Sequence, residues 1–308
     1  MKGTDLVSIR DLAQEDLLEL LDLARAIKND PGSYHQRLAH RTLAMIFEKP
    51  SLRTRVSFEA GMTQLGGHAI NLGPGDISMG KRESVADIAR TLSGMVDGII
   101  ARTFSHQAIV DLARHASVPV INALSDHQHP CQALADFLTL RERLGRLQGI
   151  TLAYVGDGNN VAHSLLHAGA KLGVHVRLAT PPAYAPDPEV VRQARQDAAQ
   201  SGARIETGTD VAAAVAGADA VYTDTWASMG QEAEHDARVA QFRPYQVNAA
   251  VMARAAKGAL FLHCLPAHRG EEVTDEVIES AASVVFQQAE NRLHVQKAIL
   301  VLLLGSRR

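Results

Sequence analysis

Leu43-Ala44-Met45-Ile46-Phe47 runs into Glu48-Lys49-Pro50-Ser51-Leu52-Arg53-Thr54-Arg55, and this junction sets the reading of the chain. An unbroken apolar run suits a strand buried on both faces. Pro50 ends it, Ser51 is a natural N-cap, and the spacing beyond predicts a helix over 51–65. A helix N-terminus carrying Ser, Thr and Arg is a ready site for a phosphate-like dianion. Arg53 and Arg55 lie two apart and do not share a helix face, so one is expected at the ligand while Arg55 pairs with Glu59 a turn later.

Outward from this junction the same strand-then-helix unit recurs. A first amphipathic helix is expected over 11–29, strands over 43–47, 68–72, 98–101 and 118–122, and further helices over 83–96 and 106–115. A long helix over 130–144 ends at Gly145, and the alternation restarts with strands at 151–155, 175–179, 204–207, 220–223 and 259–263. Alternation of this kind implies parallel sheets covered by helices on both faces. The expected fold is α/β, with two doubly wound parallel-sheet domains, 1–143 and 144–289, joined by long helices and with the active site in the cleft between them. Ligands of such sheets bind beyond the carboxyl ends of the strands.

Composition narrows the function. The 308 residues hold 31 Lys and Arg against 34 Asp and Glu, a net charge of −3, so no basic excess exists to hold a nucleic-acid backbone. With 46% hydrophobic and 21% charged residues the chain is too apolar for disorder. Its longest apolar run, 298–304, falls far short of the roughly 20 residues that cross a bilayer. Residues 1–14 show no signal-peptide core, and the expectation is a reduced cytoplasmic enzyme without membrane partners. Cys131 and Cys264 are the only cysteines, which excludes a disulfide scaffold or a Cys-built zinc site.

Other polar residues cluster at strand ends. Arg102-Thr103 follows the third strand, and His127-Gln128-His129-Pro130-Cys131-Gln132 opens the long helix, with Pro130 suited to its first position. No third ligand stands at metal spacing from His127 and His129. Gly156-Asp157-Gly158-Asn159-Asn160 resembles a dinucleotide loop, but position 161 is Val161 and no acid ends the next strand. His163 and His167 lack the Glu of a zinc-protease helix and read as packing or surface residues. Asp224 closes the strand over 220–223, where it can hold an ammonium group, and Cys264 follows the strand over 259–263 beside it.

Ser51-Leu52-Arg53-Thr54-Arg55, Arg102-Thr103 and His129-Pro130-Cys131-Gln132, in this order and spacing, resemble the carbamoyl-phosphate lobe of the aspartate/ornithine carbamoyltransferase family. Asp224-Thr225-Trp226-Ala227-Ser228-Met229-Gly230 and His263-Cys264-Leu265-Pro266 are similar to its ornithine branch, and the resemblance covers essentially the whole chain. It implies transfer of the carbamoyl group from carbamoyl phosphate to L-ornithine, without metal or organic cofactor. Carbamoyl phosphate would meet Ser51, Leu52, Arg53, Thr54, Ser78, Arg102, His129, Gln132 and Arg292. L-ornithine would meet Asn160, Asp224, Ser228, Met229, Cys264 and Leu265. The catalytic set implied is Arg53, Arg102, His129, Cys264 and Asp224. A C-terminal helix over 290–308 would complete the first domain. The resemblance further implies a homotrimer, or a multiple of trimers, in which the loop over 75–84 reaches a neighbour's site. Leu52 stands where the family has Thr, and Ser78 where many relatives have Gln or His. A sister transferase using putrescine, an N-acylated ornithine or aspartate stays open, as do a non-catalytic binding paralogue and a nicotinamide oxidoreductase.

Overall fold

The computed structural model describes residues 5–77, 79–80, 82–227 and 234–305. Two compact units divide the chain: Met1–Leu138 with Glu290–Arg308, and Thr139–Ala289. In the first, α1 (Gln14–Asn29), β1 (Thr42–Phe47), α2 (Leu52–Gln64), β2 (His68–Leu72), α3 (Val85–Ser93), β3 (Gly98–Arg102), α4 (His106–His115) and β4 (Val120–Leu124) follow one another, and α5 (Pro130–Leu144) begins in it and runs on into the second. The strands form one parallel sheet in the order β2-β1-β3-β4. Met45, Ile46, Ile99, Ile100 and Ile121 are buried in it, whereas the edge strand β2 is half-exposed. Such a pattern follows from covering both faces of the central strands.

The second unit contains β5 (Thr151–Val155), α6 (Asn160–Leu172), β6 (His175–Ala179), α7 (Pro188–Ser201), β7 (Ile205–Gly208), α8 (Val211–Val215), β8 (Ala220–Thr223), α9 (His235–Phe242), α10 (Ala249–Met252), β9 (Leu260–His263) and α11 (Asp275–Ile278). Its parallel sheet has the order β7-β6-β5-β8-β9. A final helix, α12 (Val285–Leu304), ends the described chain. In both sheets the winding reverses once, between β1 and β3 and between β5 and β8. Diverging connections at such a point open a crevice at the carboxyl edge, where α/β proteins bind ligands.

The two doubly wound parallel sheets expected from the alternation are present. Some bounds differ. Helix α12 starts at Val285 rather than at Glu290, because no breaker separates Val285 from Asn291 and the Gln288 amide already donates to the Val284 carbonyl at 2.8 Å. Strand β4 runs two residues later than expected, and its pairing with β3 shifts register between Ala101 and Arg102. Arg102 is therefore the last residue of β3, not the first after it. The first helix begins at Gln14 behind a 3-10 turn over Ile9–Asp11, and α3 is shortened to the stretch that Ser84 caps.

Candidate active site

In the first unit the strand ends are level: Phe47 pairs with Arg102, and Arg102 with Leu124. The chain leaving β1 turns at Pro50, and Ser51 caps α2 with its Oγ accepting from the Thr54 amide at 3.2 Å. The first-turn amides of a helix have no intrahelical acceptor, and they carry its partial positive charge. Leu52 points outward and is 75% exposed, so only its backbone can serve a ligand. Arg55 Nε lies 3.4 Å from Glu59 Oε2, as the spacing required.

Arg292 of α12 binds this wall together. Its Nη2 donates to Thr54 Oγ1 at 3.0 Å and its Nη1 to Gln132 Oε1 at 2.7 Å, while Gln132 Nε2 donates to Asp136 Oδ1 at 2.8 Å. Arg102, His129, Gln132 and Arg292 are all buried. Burial, followed by the charges of Arg292, Arg102 and Arg53, holds the His129 imidazole well below its usual range, so it is neutral at pH 7. The positive charges of Arg292, Arg102 and Arg53 thus all act on one uncharged ring of the first unit. An oxygen-rich dianion is the ligand that relieves such a concentration of positive charge. Cys131, buried beneath, is pushed up to about 12 by desolvation and is a packing thiol.

The second unit has its own aligned edge: Val155 pairs with Thr223, and Thr223 with His263. Asp224 leaves that edge buried, and both of its oxygens accept. Its Oδ2 accepts from Asn159 Nδ2 at 2.8 Å; its Oδ1 accepts from the Thr225 amide at 2.8 Å and from Cys264 Sγ at 2.9 Å. Asn159 also caps α6, its Oδ1 accepting from the amides of Val161 and Ala162. Asn159 is thus the residue that grips Asp224, and the expected Asn160 occupies the first position of α6 beside it. Leu265 sits at φ 59°, and its amide donates to His263 Nδ1 at 2.9 Å. His263 Nε2 therefore carries the proton and donates to Glu272 Oε1 at 3.2 Å.

The ligand atoms of Asp224, His263 and Cys264 lie within 4.8 Å of one another, and so do those of His268, Glu271 and Glu272. Both nitrogens of His263 are taken by hydrogen bonds, so the first group reads as a polar network rather than a metal site. His163 and His167 are buried, and His163 Nε2 accepts from the Asp187 amide at 3.1 Å, a packing role. Ser78, Ser228 and Met229 lie outside the described residues. Sequence reasoning missed Asn159, whose signal was its N-cap position, and Asp136, one turn beyond Gln132 on α5.

Comparison with known proteins identifies both units. Residues 4–142 match the model described as aspartate/ornithine carbamoyltransferase, carbamoyl-P binding domain, and residues 148–303 match its Asp/Orn binding domain. The ornithine carbamoyltransferase of Thermococcus kodakarensis is 54% identical over 307 residues, 99% of this chain and 98% of that protein. The anabolic ornithine carbamoyltransferase of Pyrococcus furiosus is 53% identical over 307 residues, 99% of this chain and 98% of that protein. A solved structure of ornithine carbamoyltransferase from Pyrococcus furiosus superposes with a TM-score of 0.97 at 52% identity, covering 100% of this chain and 99% of that one.

Proposed function

The chain belongs to the aspartate/ornithine carbamoyltransferase family, and from that premise we propose that it transfers the carbamoyl group of carbamoyl phosphate to the δ-amine of L-ornithine, giving L-citrulline and phosphate. The observation that carries the choice of amine is Asp224, a buried carboxyl held by Asn159, Thr225 and Cys264. An anion in that place favours a cationic amino acid and repels aspartate. The first unit binds carbamoyl phosphate and the second L-ornithine.

The phosphate is cradled by Ser51, Arg53, Thr54 and the amides of the first turn of α2, including that of Leu52. Thr54 Oγ1 already accepts from Arg292, so its own O–H donates. Arg102, His129 and Thr54 face the carbonyl oxygen, on which negative charge grows as the amine attacks, and Arg292 adds its charge behind them. Gln132 Oε1 receives the carbamoyl NH₂. Preorganised donors at a developing oxyanion are worth about 10²–10³ in rate each.

The amine is the demanding partner. Near a pKa of about 10.4, only about one δ-amine in 10³ or fewer is neutral at pH 7. Asp224, Cys264, Asn160, Leu265, Ser228 and Met229 orient the amino acid. The nitrogen lone pair forms the C–N bond, the C–O bond to phosphorus breaks with its electrons on phosphate, and the proton lost from nitrogen passes to the departing phosphate. No metal or organic cofactor is required, because carbamoyl phosphate arrives activated.

The assembly we infer is a closed trimer of about 100 kDa, from three chains of 33.1 kDa. The polar loop 75–84 supports it, although Ser78 and Lys81 within it lie outside the described residues. Leu52 and Val56, 75% and 53% exposed one turn apart on α2, also support the assembly. Light scattering tests the mass, and a monomer overturns it. The reaction is tested with carbamoyl phosphate and a panel of L-ornithine, putrescine, N-acetylornithine and aspartate. Citrulline from L-ornithine at the highest kcat/KM is expected; a higher value for another amine overturns the substrate.

A further inference from the structure

Arg238, on α9, is a buried cation that the proposed chemistry does not use. Its Nε donates to the backbone carbonyl of Trp226, and its Nη2 to Oδ2 of the buried Asp157. The guanidinium lies 4.4 Å over the Tyr184 ring and 5.4 Å from the Phe242 ring, and Trp226 stacks on Phe242 at 5.9 Å. The exposed Glu234 is 3.8 Å from Nη1. A planar fork that serves two acceptors at fixed angles while stacking on rings is a task that only Arg performs.

Both acceptors lead to the same carboxyl. Asp157 stands two residues before Asn159, whose Nδ2 donates to Asp224 Oδ2. Trp226 stands two residues after Asp224, beyond the Thr225 amide that donates to Asp224 Oδ1. Arg238 therefore closes a ring from the β5 edge through Asp157 and Asn159 to Asp224, and back through Thr225 and Trp226. Its charge also opposes the repulsion between Asp157 and Asp224: burial first, and then Asp224, raise the Asp157 carboxyl against the pull of Arg238, leaving it at about 6.

We propose that Arg238 is the positioning residue that sets Asp224 for the amine substrate. The inference rests on the ornithine reading above. Removing the fork releases both arms at once and leaves Asp157 buried without its partner, a costly state that relaxes by movement. Displacements of about 1 Å at a positioning group cost up to about 10² in catalysis.

The test compares Arg238→Lys, Arg238→Met and Asp157→Asn/Arg238→Met with the parent enzyme. Expected is a rise of about tenfold or more in KM for L-ornithine in both single variants. Carbamoyl phosphate affinity by calorimetry should stay within about twofold, since its residues belong to the first unit. The double variant should recover part of the loss of Arg238→Met, because the unpartnered carboxylate is gone. Trp226 is the only tryptophan in the chain, so its emission reports the released arm directly and should shift to the red in each variant. Parent KM with unshifted emission in Arg238→Lys, or parallel loss of both substrates, overturns the proposal. Should Arg238→Met fail to fold, Arg238→Lys and Asp157→Asn carry the same readouts. A parent enzyme silent with L-ornithine rejects the ornithine reading instead, and the variants' emission still decides whether the arm is held.

Discussion

His129 shows how surroundings decide a residue's chemistry. Beside Arg53, Arg102 and Arg292 and out of water, its ring stays neutral, able to donate one hydrogen bond to an oxygen without competing for the dianion. The folded form thus resists a proton that the unfolded chain accepts near pH 6.5, so stability contributed by neutral His129 is full above that pH and falls as pH drops below it. The loss begins near pH 6.5 and grows as the pH falls further. Urea midpoints at pH 7.5 and 5.5 should fall further for the parent than for His129→Gln, which keeps a donor and does not titrate. Equal losses would refute the assignment. A saturating carbamoyl phosphate dianion should shrink the difference by offsetting the arginine charge. Arg53→Lys keeps charge and loses the fork, and kcat should fall by about 10² or more; near-parent turnover removes Arg53 from the transition state. That Arg102 and Asp224 stand at the carboxyl ends of parallel strands was legible in the sequence. That Asn159 grips Asp224 was not, because it depends on the residue at which α6 begins.

The loop between β5 and α6 shows the same limit at the scale of an element. Its glycines resemble a phosphate-binding turn, yet Gly158 answers to a different neighbour. A Cβ there would sit 2.3 Å from the Pro186 nitrogen, 2.6 Å from the Ala185 carbonyl carbon and 2.7 Å from the Tyr184 oxygen, all backbone atoms. The Gly158 amide donates to Tyr184 O at 2.9 Å, which binds the two segments at that separation. Gly158→Ala must push them apart, costing about 1–3 kcal/mol and displacing Asn159 from Asp224. Gly208→Ala, with nothing within 4 Å, is the control and should stay near parent stability. Urea midpoints decide, and equal effects would mean that the close approach is unimportant. Strands β2, β5, β6 and β8 have the bounds expected from their sequence, since apolar runs between turn residues define themselves locally. The start of α12 and the register of β4 depend on tertiary packing, which the local pattern does not contain.

At the scale of the molecule, the first unit is discontinuous: Met1–Leu138 is joined by Glu290–Arg308 from the far end of the chain. In α12 the residues Val295, Ile299, Leu300, Val301, Leu303 and Leu304 are buried, and each such side chain contributes about 1.5–3 kcal/mol. Together they match the whole stability of an ordinary domain, about 5–15 kcal/mol. Polar ties reinforce them: Lys28 Nζ donates to Asn291 Oδ1 at 2.7 Å, Lys297 Nζ to Gln64 Oε1 at 2.9 Å, and Arg292 holds Thr54 and Gln132. Leu304 occupies the space beside Gly98, where a Cβ would meet its Cδ2 at 2.6 Å. Ending the chain after Ala289 should therefore abolish cooperative folding of the first unit and with it carbamoyl phosphate binding. The second unit, Thr139–Ala289, keeps every one of its residues in that truncation, and Trp226 lies within it. A urea transition followed by Trp226 emission should accordingly survive, while far-UV dichroism loses the helical signal of the first unit. Carbamoyl phosphate binding by the truncated chain would show that the last helix is dispensable to the anion site. Loss of the Trp226 transition along with the first unit would show that the two units fold as one.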